Sequence, residues 1–206
     1  MCHKHGKQQK KLVLIMGGVR SGKSAFAQEL AHRMGRRVTF LATARAQDEE
    51  MRRRIEEHRR ARPAHWRTIE APLNAARALR EKSDGAEVVL LDCLTFLAAN
   101  LLLDGDETRP QEVEARMLAE VEGLLSAFDA GTASVIVVSN EVGTGVVPPY
   151  PVGRAYRDLL GRANQIIAGA ADRVYWMLAG LPVEIKASGL AETALHCDEG
   201  ECDGET

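Results

Sequence analysis

Near the start of the chain stands Gly17-Gly18-Val19-Arg20-Ser21-Gly22-Lys23-Ser24, a Gly-x-x-x-x-Gly-Lys-Ser pattern. An apolar run, residues 12–16, precedes it, and the helix-forming Ala25-Phe26-Ala27-Gln28-Glu29-Leu30-Ala31 follows. Strand, glycine-rich turn and helix are the setting that gives this pattern its meaning. Gly17 and Gly22 allow the backbone to wrap with its N–H groups pointing inward, around an anion. The helix that follows aims its positive N-terminal end at the same anion. Lys23 supplies a point charge for the β- and γ-phosphates of a nucleotide, and Ser24 supplies a hydroxyl for Mg²⁺. A Gly-Lys-Ser turn that only capped a helix would not need this strand and this helix. The expected architecture is therefore α/β: a mostly parallel sheet flanked by helices, of the P-loop NTPase kind, over residues 12–186.

The chain has 206 residues, enough for one such domain with a proper core. Its formal net charge of −2 argues against bulk nucleic-acid binding. No apolar run is long enough to span a bilayer, and no signal peptide is recognisable. Cys2, Cys93, Cys197 and Cys202 are few and poorly spaced for a disulfide framework, so a reducing cytoplasm is expected. Residues 1–11 and 190–206 read as flexible tails. Cys2, His3 and His5 at one end, and His196, Cys197 and Cys202 at the other, lack zinc-site spacing. No internal repeat and no interdomain linker is present.

Residues 37–44 read as a second strand. Ligands of open α/β sheets sit beyond the carboxyl ends of the strands, so Thr43 is expected to face the nucleotide crevice. Residues 47–63 form a helix with acids at its start, bases at its end and Pro63 as its stop. Met51, Ile55 and His58 share one face of it, which puts His58 on the inward side; by pattern alone His58 also fits a helix-end histidine that satisfies a carbonyl. Residues 64–70 suit a short strand and 72–82 a helix. Residues 87–92 form an apolar strand that ends in Asp92, a Walker B pattern placing a carboxylate beside Ser24 to hold Mg²⁺. Helices follow over 96–103 and 111–130, with a loop at 105–110, then a buried strand over 134–140.

That strand runs into a loop rich in Gly and Pro, residues 141–151, suited to binding or to a lid. The helix over 154–170 carries Arg154, Arg157 and Arg162, a basic face open to phosphates, to a neighbouring subunit or to solvent. Residues 174–178 and 183–186 read as closing strands.

Several of these pieces occur together in one known family. They are the glycine turn, Leu41-Ala42-Thr43, Arg54-Ile55-x-x-His58, and Arg62-Pro63-Ala64-His65-Trp66-Arg67-Thr68-x-Glu70. The loop Asn140-Glu141-Val142-Gly143-x-Gly145-Val146-Val147-Pro148 and Tyr156-Arg157-Asp158-x-x-Gly161-Arg162-x-Asn164-Gln165 complete the set. Over about residues 12–186 the chain resembles the bifunctional adenosylcobinamide kinase / adenosylcobinamide-phosphate guanylyltransferase family of cobalamin biosynthesis. It departs from some relatives at Glu57, where they carry a second histidine, and at Asp92, where they carry Glu.

The resemblance implies a RecA-like sheet, a homotrimer, Mg²⁺, and GTP and ATP as nucleotide substrates. It makes His58 the residue that takes up GMP, and Lys23 catalytic with it. It places Ala42, Thr43, Ala44, Arg59, Arg60, Ala61, Arg62, Glu70 and Asp92 against GTP. The chemistry is coherent: an imidazole attacks the α-phosphorus and expels pyrophosphate, while Lys23, Mg²⁺ and the loop amides stabilise the leaving charge. In the kinase half a γ-phosphoryl group moves to the cobinamide side-chain hydroxyl, with Lys23, Ser24 and Asp92 supplying the electrostatics and Glu141 a candidate base. Two other functions fit the motifs: a small-molecule P-loop kinase without guanylyl transfer, and a nucleotide-dependent switch protein.

Overall fold

The computed structural model describes residues 9–105 and 110–187. The first strand, β1 (Leu12–Gly17), leads through the glycine turn into α1 (Lys23–Met34) and β2 (Val38–Ala42). Next come α2 (Glu49–Arg60), β3 (Arg67–Glu70), α3 (Ala75–Lys82) and β4 (Val88–Asp92). Then follow α4 (Leu94–Asp104), α5 (Pro110–Ala130), β5 (Ser134–Val138), α6 (Pro151–Ala170), β6 (Arg173–Leu178) and β7 (Leu181–Lys186). The strands form one seven-stranded sheet in the order β3-β2-β4-β5-β1-β6-β7. All neighbours are parallel except β6 and β7. This is the mostly parallel, helix-flanked sheet expected from the glycine turn.

The central strands are apolar apart from Asp92 at the end of β4 and Ser134 at the start of β5, because both sheet faces are covered. Side chains alternate between the faces with period two. Val13, Ile15, Phe40, Leu90 and Ile136 meet Ala27 and Ala31 of α1 on one face. Leu12, Leu14, Leu41, Val89, Leu91 and Val137 meet the layer of α3 to α6 on the other. On the α1 face that helix packs on β1, β4 and β5. The β2–β3 part of the same face is left to α2, and no residue of α2 is buried. Its outward charge is held by within-helix pairs such as Arg52–Glu49. The space between α2 and the sheet is the cleft of the next subsection.

Several boundaries differ from the sequence expectation. The helix expected from 96 starts at Leu94, and the one expected from 154 starts at Pro151, a residue pre-organised for a first helical turn. The helix expected over 72–82 begins at Ala75, where Glu120 of α5 accepts the Ala76 amide at 3.0 Å. The Cys- and His-bearing residues 2–5 and 196–202 lie outside the described residues. Lys10 and Lys11, assigned to the flexible N-terminal tail, are instead fastened. Lys10 Nζ donates to the carbonyls of Phe128 (2.6 Å), Asp129 (2.7 Å) and Gly131 (3.0 Å), capping the end of α5. Lys11 N donates to Ser134 Oγ at 3.1 Å. Among the described residues no helix is long and apolar enough to cross a membrane.

Candidate active site

The glycine turn is held from outside. Gly17 has φ 151°, and a Cβ there would lie 2.5 Å from the Met177 carbonyl oxygen. Gly22 has φ 93°, with Gly180 against it: a Cβ would come within 3.2 Å of the Gly180 Cα. The tip of the β6–β7 hairpin thus presses on the turn, and Gly180 N donates to Ser21 O at 3.0 Å. Arg20 also has a left-handed backbone, φ 57°. Lys23 Nζ reaches back across the turn to Gly18 O at 2.5 Å. Burial draws the Lys23 ammonium below the usual lysine range, while Cys93 and Asp92 pull it back up.

β4 delivers Asp92 beside this turn, paired in register with Ala42 of β2 and Val138 of β5. Burial pushes its carboxyl above the usual aspartate range. The Ser24 hydroxyl bonded to it, then the charges of His58, Arg62 and Lys23, act in the opposite direction. The P-loop hydroxyl, the strand-end carboxylate, the lysine and the α2 histidine therefore share one electrostatic neighbourhood. The Ser24–Asp92 pair offers hard oxygen donors suited to Mg²⁺, which takes one or two protein oxygens and fills its remaining positions with phosphate and water. Cys93 also lines the cleft; burial, then the Asp92 charge, pushes its thiol up to about 12, which favours the neutral thiol.

The cleft encloses about 1420 Å³. Its lining includes Val19, Arg20, Ser21, Gly22, Lys23 and Ser24 from the turn, Ala44 after β2, and Ala42, Glu70 and Asp92 at strand ends. Met51, Ile55, His58, Arg59 and Arg60 line it from α2, as the i, i+4, i+7 spacing implied, and Arg62 just after the helix. The α2 helix gains its direction from Asp48, whose carboxylate accepts the Met51 amide at 2.7 Å. Beyond the helix end, Arg62 donates to His58 O at 3.1 Å and to Thr68 Oγ1 at 3.2 Å. Its guanidinium lies 3.8 Å from the Phe40 ring centre. Arg62 thus links the His58 end of α2 to β2 and β3.

Gly17, Gly18 and Ala61 do not line the cleft, and neither does Thr43. Thr43 is fully buried, and its side chain serves the Asp92–Cys93 turn rather than facing the crevice. Asn100, also buried, donates to Thr43 O at 2.7 Å and Pro72 O at 2.9 Å. Glu141, the candidate base, turns its carboxylate to the Gly143 amide. The basic face of α6 does not reach the cleft either. Arg157 donates to Gly143 O at 2.7 Å, Arg154 to Pro149 O at 2.7 Å, and Arg162 pairs with Glu114. The structure adds Phe40, Arg45 and Phe96 to the cleft lining, and also Trp66 and Asn140, which belong to the family motif segments without a site role implied for them. Arg45 stands one residue beyond the Ala42–Ala44 stretch, and Phe40 reads as plain core.

The family model described as cobinamide kinase / cobinamide phosphate guanyltransferase matches residues 13–185. The chain belongs to this family. It is 46% identical over 177 residues to the bifunctional adenosylcobalamin biosynthesis protein CobP of Pseudomonas aeruginosa, covering 86% of this chain and 98% of that protein. It is 40% identical over 181 residues to the bifunctional adenosylcobalamin biosynthesis protein CobU of Escherichia coli, covering 85% of this chain and 99% of that protein. The crystal structure of the RadB recombinase resembles the fold loosely, with a TM-score of 0.46 and 15% identity, covering 81% of this chain and 73% of that one.

Proposed function

We propose that this member of the family carries out both reactions in its name. It moves a γ-phosphoryl group from ATP or GTP to the side-chain hydroxyl of adenosylcobinamide. It then transfers GMP from GTP to the resulting phosphate, yielding adenosylcobinamide-GDP and pyrophosphate. The observation that carries this reading is the convergence of His58 and Lys23 on one cleft whose lining also holds Asp92.

In the guanylyl half, an imidazole nitrogen of His58 attacks the α-phosphorus of GTP. A P–N bond forms, the bond to the bridging oxygen breaks, and pyrophosphate leaves. Lys23 and the amides of residues 20–24 face the outer phosphates and stabilise that charge. A phosphate oxygen of adenosylcobinamide phosphate then attacks the same phosphorus, and the P–N bond breaks. In the kinase half Lys23 neutralises the transferring group, and the turn fixes its direction. Mg²⁺, held by Ser24 and Asp92, would supply further charge neutralisation at the phosphates. Arg59, Arg60 and Arg62 add positive charge around the nucleotide, with Glu70, Ala42 and Ala44 on the sheet side. Thr43 and Ala61 support neighbouring contacts through their backbone. A homotrimer in the cytoplasm completes the proposal.

Incubation with α-³²P-GTP and Mg²⁺, followed by denaturation, tests it. The expected result is label that survives denaturation and is lost in acid, as a phosphoramidate is. Retention of no α-label, with γ-label still reaching cobinamide, would leave a kinase alone. Slow hydrolysis with neither transfer would indicate a switch protein.

A further inference from the structure

The two sides of the phosphate turn differ in chemistry. Toward β2 and β3 the cleft is basic, with Arg54, Arg59, Arg60 and Arg62 in its lining, which suits the anionic nucleotide. Toward β5 the cleft lining ends at Asn140, the residue just before the loop 141–151. Residues 142–153 of that loop and the first turn of α6 contain no charged side chain, in a chain that is 27% charged. Val146 is 94% exposed, Val147 63% and Tyr150 71%, and Val19 at the tip of the phosphate turn is 80% exposed. Single exposed apolar side chains are ordinary, but several gathered in one uncharged loop mark a place where a ligand or partner can sit.

The loop is built to hold them in place. Glu141 N donates to Gly17 O at 3.1 Å, joining its root to that of the phosphate turn. Arg157 donates to Gly143 O at 2.7 Å, and Arg154 Nη1 to Pro148 O at 3.1 Å and Pro149 O at 2.7 Å. Both guanidinium groups are thereby committed to backbone carbonyls. The loop's exposed side is left neutral and apolar, and its backbone anchored.

We propose that Val146, Val147 and Tyr150, with Val19 beside the phosphates, form the docking surface for the corrinoid acceptor. This rests on the function proposed above. The acceptor hydroxyl must lie against the γ-phosphate held by the turn, so the bulk of the acceptor must rest on a surface continuous with the turn. The basic wall matches the nucleotide. The neutral, apolar loop matches a large macrocycle with hydrocarbon faces and uncharged amide arms.

The test compares the full-length protein with Val146→Ser/Val147→Ser/Tyr150→Ser. KM for cobinamide in γ-phosphoryl transfer should rise about tenfold or more. KM for GTP, α-label captured by the protein without acceptor, and the thermal midpoint should stay as in the wild type. Single Val146→Ser and Val147→Ser variants, each with a rise of about threefold, guard against a cumulative defect in the triple variant. An unchanged KM for cobinamide would overturn the proposal. So would a KM rise that is fully explained by a shift in the oligomeric state, measured by light scattering, because the loop would then be a contact between copies. If wild-type protein transfers label to itself but never to cobinamide, the proposed function and this surface both fall. If it transfers normally while the variants match it, only the surface falls.

Discussion

The hydroxyl of Thr43 makes two bonds to one residue: it donates to the Cys93 carbonyl at 2.6 Å and accepts the Cys93 amide at 2.8 Å. Two strand ends are joined by this pair, since Thr43 follows β2 and Cys93 follows Asp92 of β4. The Thr43 amide adds a third link by donating to Asp92 O at 3.2 Å. Asn100 extends it to Pro72, two residues past Glu70. Two carboxylates of the cleft are therefore set by a threonine and an asparagine that do not line it.

Thr43→Val keeps the shape and removes both bonds, leaving the Cys93 amide unpaired in the interior and its carbonyl with the Leu97 amide alone, at 3.3 Å. A loss of about 1–3 kcal/mol follows, or roughly 3–10 °C in the thermal midpoint for a domain of this size. Misplacement of Asp92 should lower kcat about tenfold in both reactions. Thr43→Ser should recover most of both losses. Calorimetry and steady-state rates on the three proteins check this; a Val variant with wild-type kcat would refute the positioning role.

His58→Asn separates the two halves of the chemistry. The substitution removes the proposed nucleophile from a helix end that is exposed and packs little, so the fold should not suffer. Capture of α-label should fall below detection, while γ-phosphoryl transfer to cobinamide stays within about threefold of wild type. Equal loss of both would point to a role for His58 in holding the nucleotide.

How much of this was legible in the sequence depends on the kind of interaction. The phosphate turn was, because glycine at 17 and 22 answers a local backbone demand, and the strand and helix beside it follow from periodicity. The cleft face of α2 was too, since Met51, Ile55 and His58 lie at helical spacing. Thr43 was misplaced because strand position tells where a residue ends up, and not which buried partner claims its hydroxyl. The arginines of α6 read as a free basic face for a similar reason. Their carbonyl partners at Gly143, Pro148 and Pro149 belong to a loop whose path is set by tertiary contacts. Asn100 had no local signal at all: it sits mid-helix in a hydrophobic segment, and only the fold supplies its two acceptors.

Lys23→Ala should damage both reactions, because each needs the same charge on nucleotide phosphates. A fall of about 100-fold or more in kcat/KM is expected for γ-transfer and for α-labelling alike. The variant should fold. In the free protein Lys23 is held below the usual lysine range by burial, so its charge is a cost that nucleotide binding offsets. Rates measured beside the thermal midpoint check both halves of the claim; an α-labelling rate left intact would mean that the pyrophosphate leaves from another site.

Acid stability should depend on Glu87, far from the chemistry. Its carboxylate accepts the amides of Arg36 at 2.7 Å and Arg37 at 3.2 Å and pairs with the Arg37 guanidinium at 3.1 Å, fixing the turn between α1 and β2. The Arg37 and Arg36 amides hold its carboxyl below the usual glutamate range. The folded state therefore binds the proton less readily than the unfolded chain does. The stability that this contact gives is complete above the unfolded glutamate value of about 4.3 and is lost as pH falls through the lower folded value. Glu87→Gln should be less stable than wild type at neutral pH. The gap should close in acid, once folded Glu87 has taken up its proton. Urea midpoints of the two proteins across that range decide it: a gap that stays constant with pH would show that the amide contacts matter and the carboxylate charge does not.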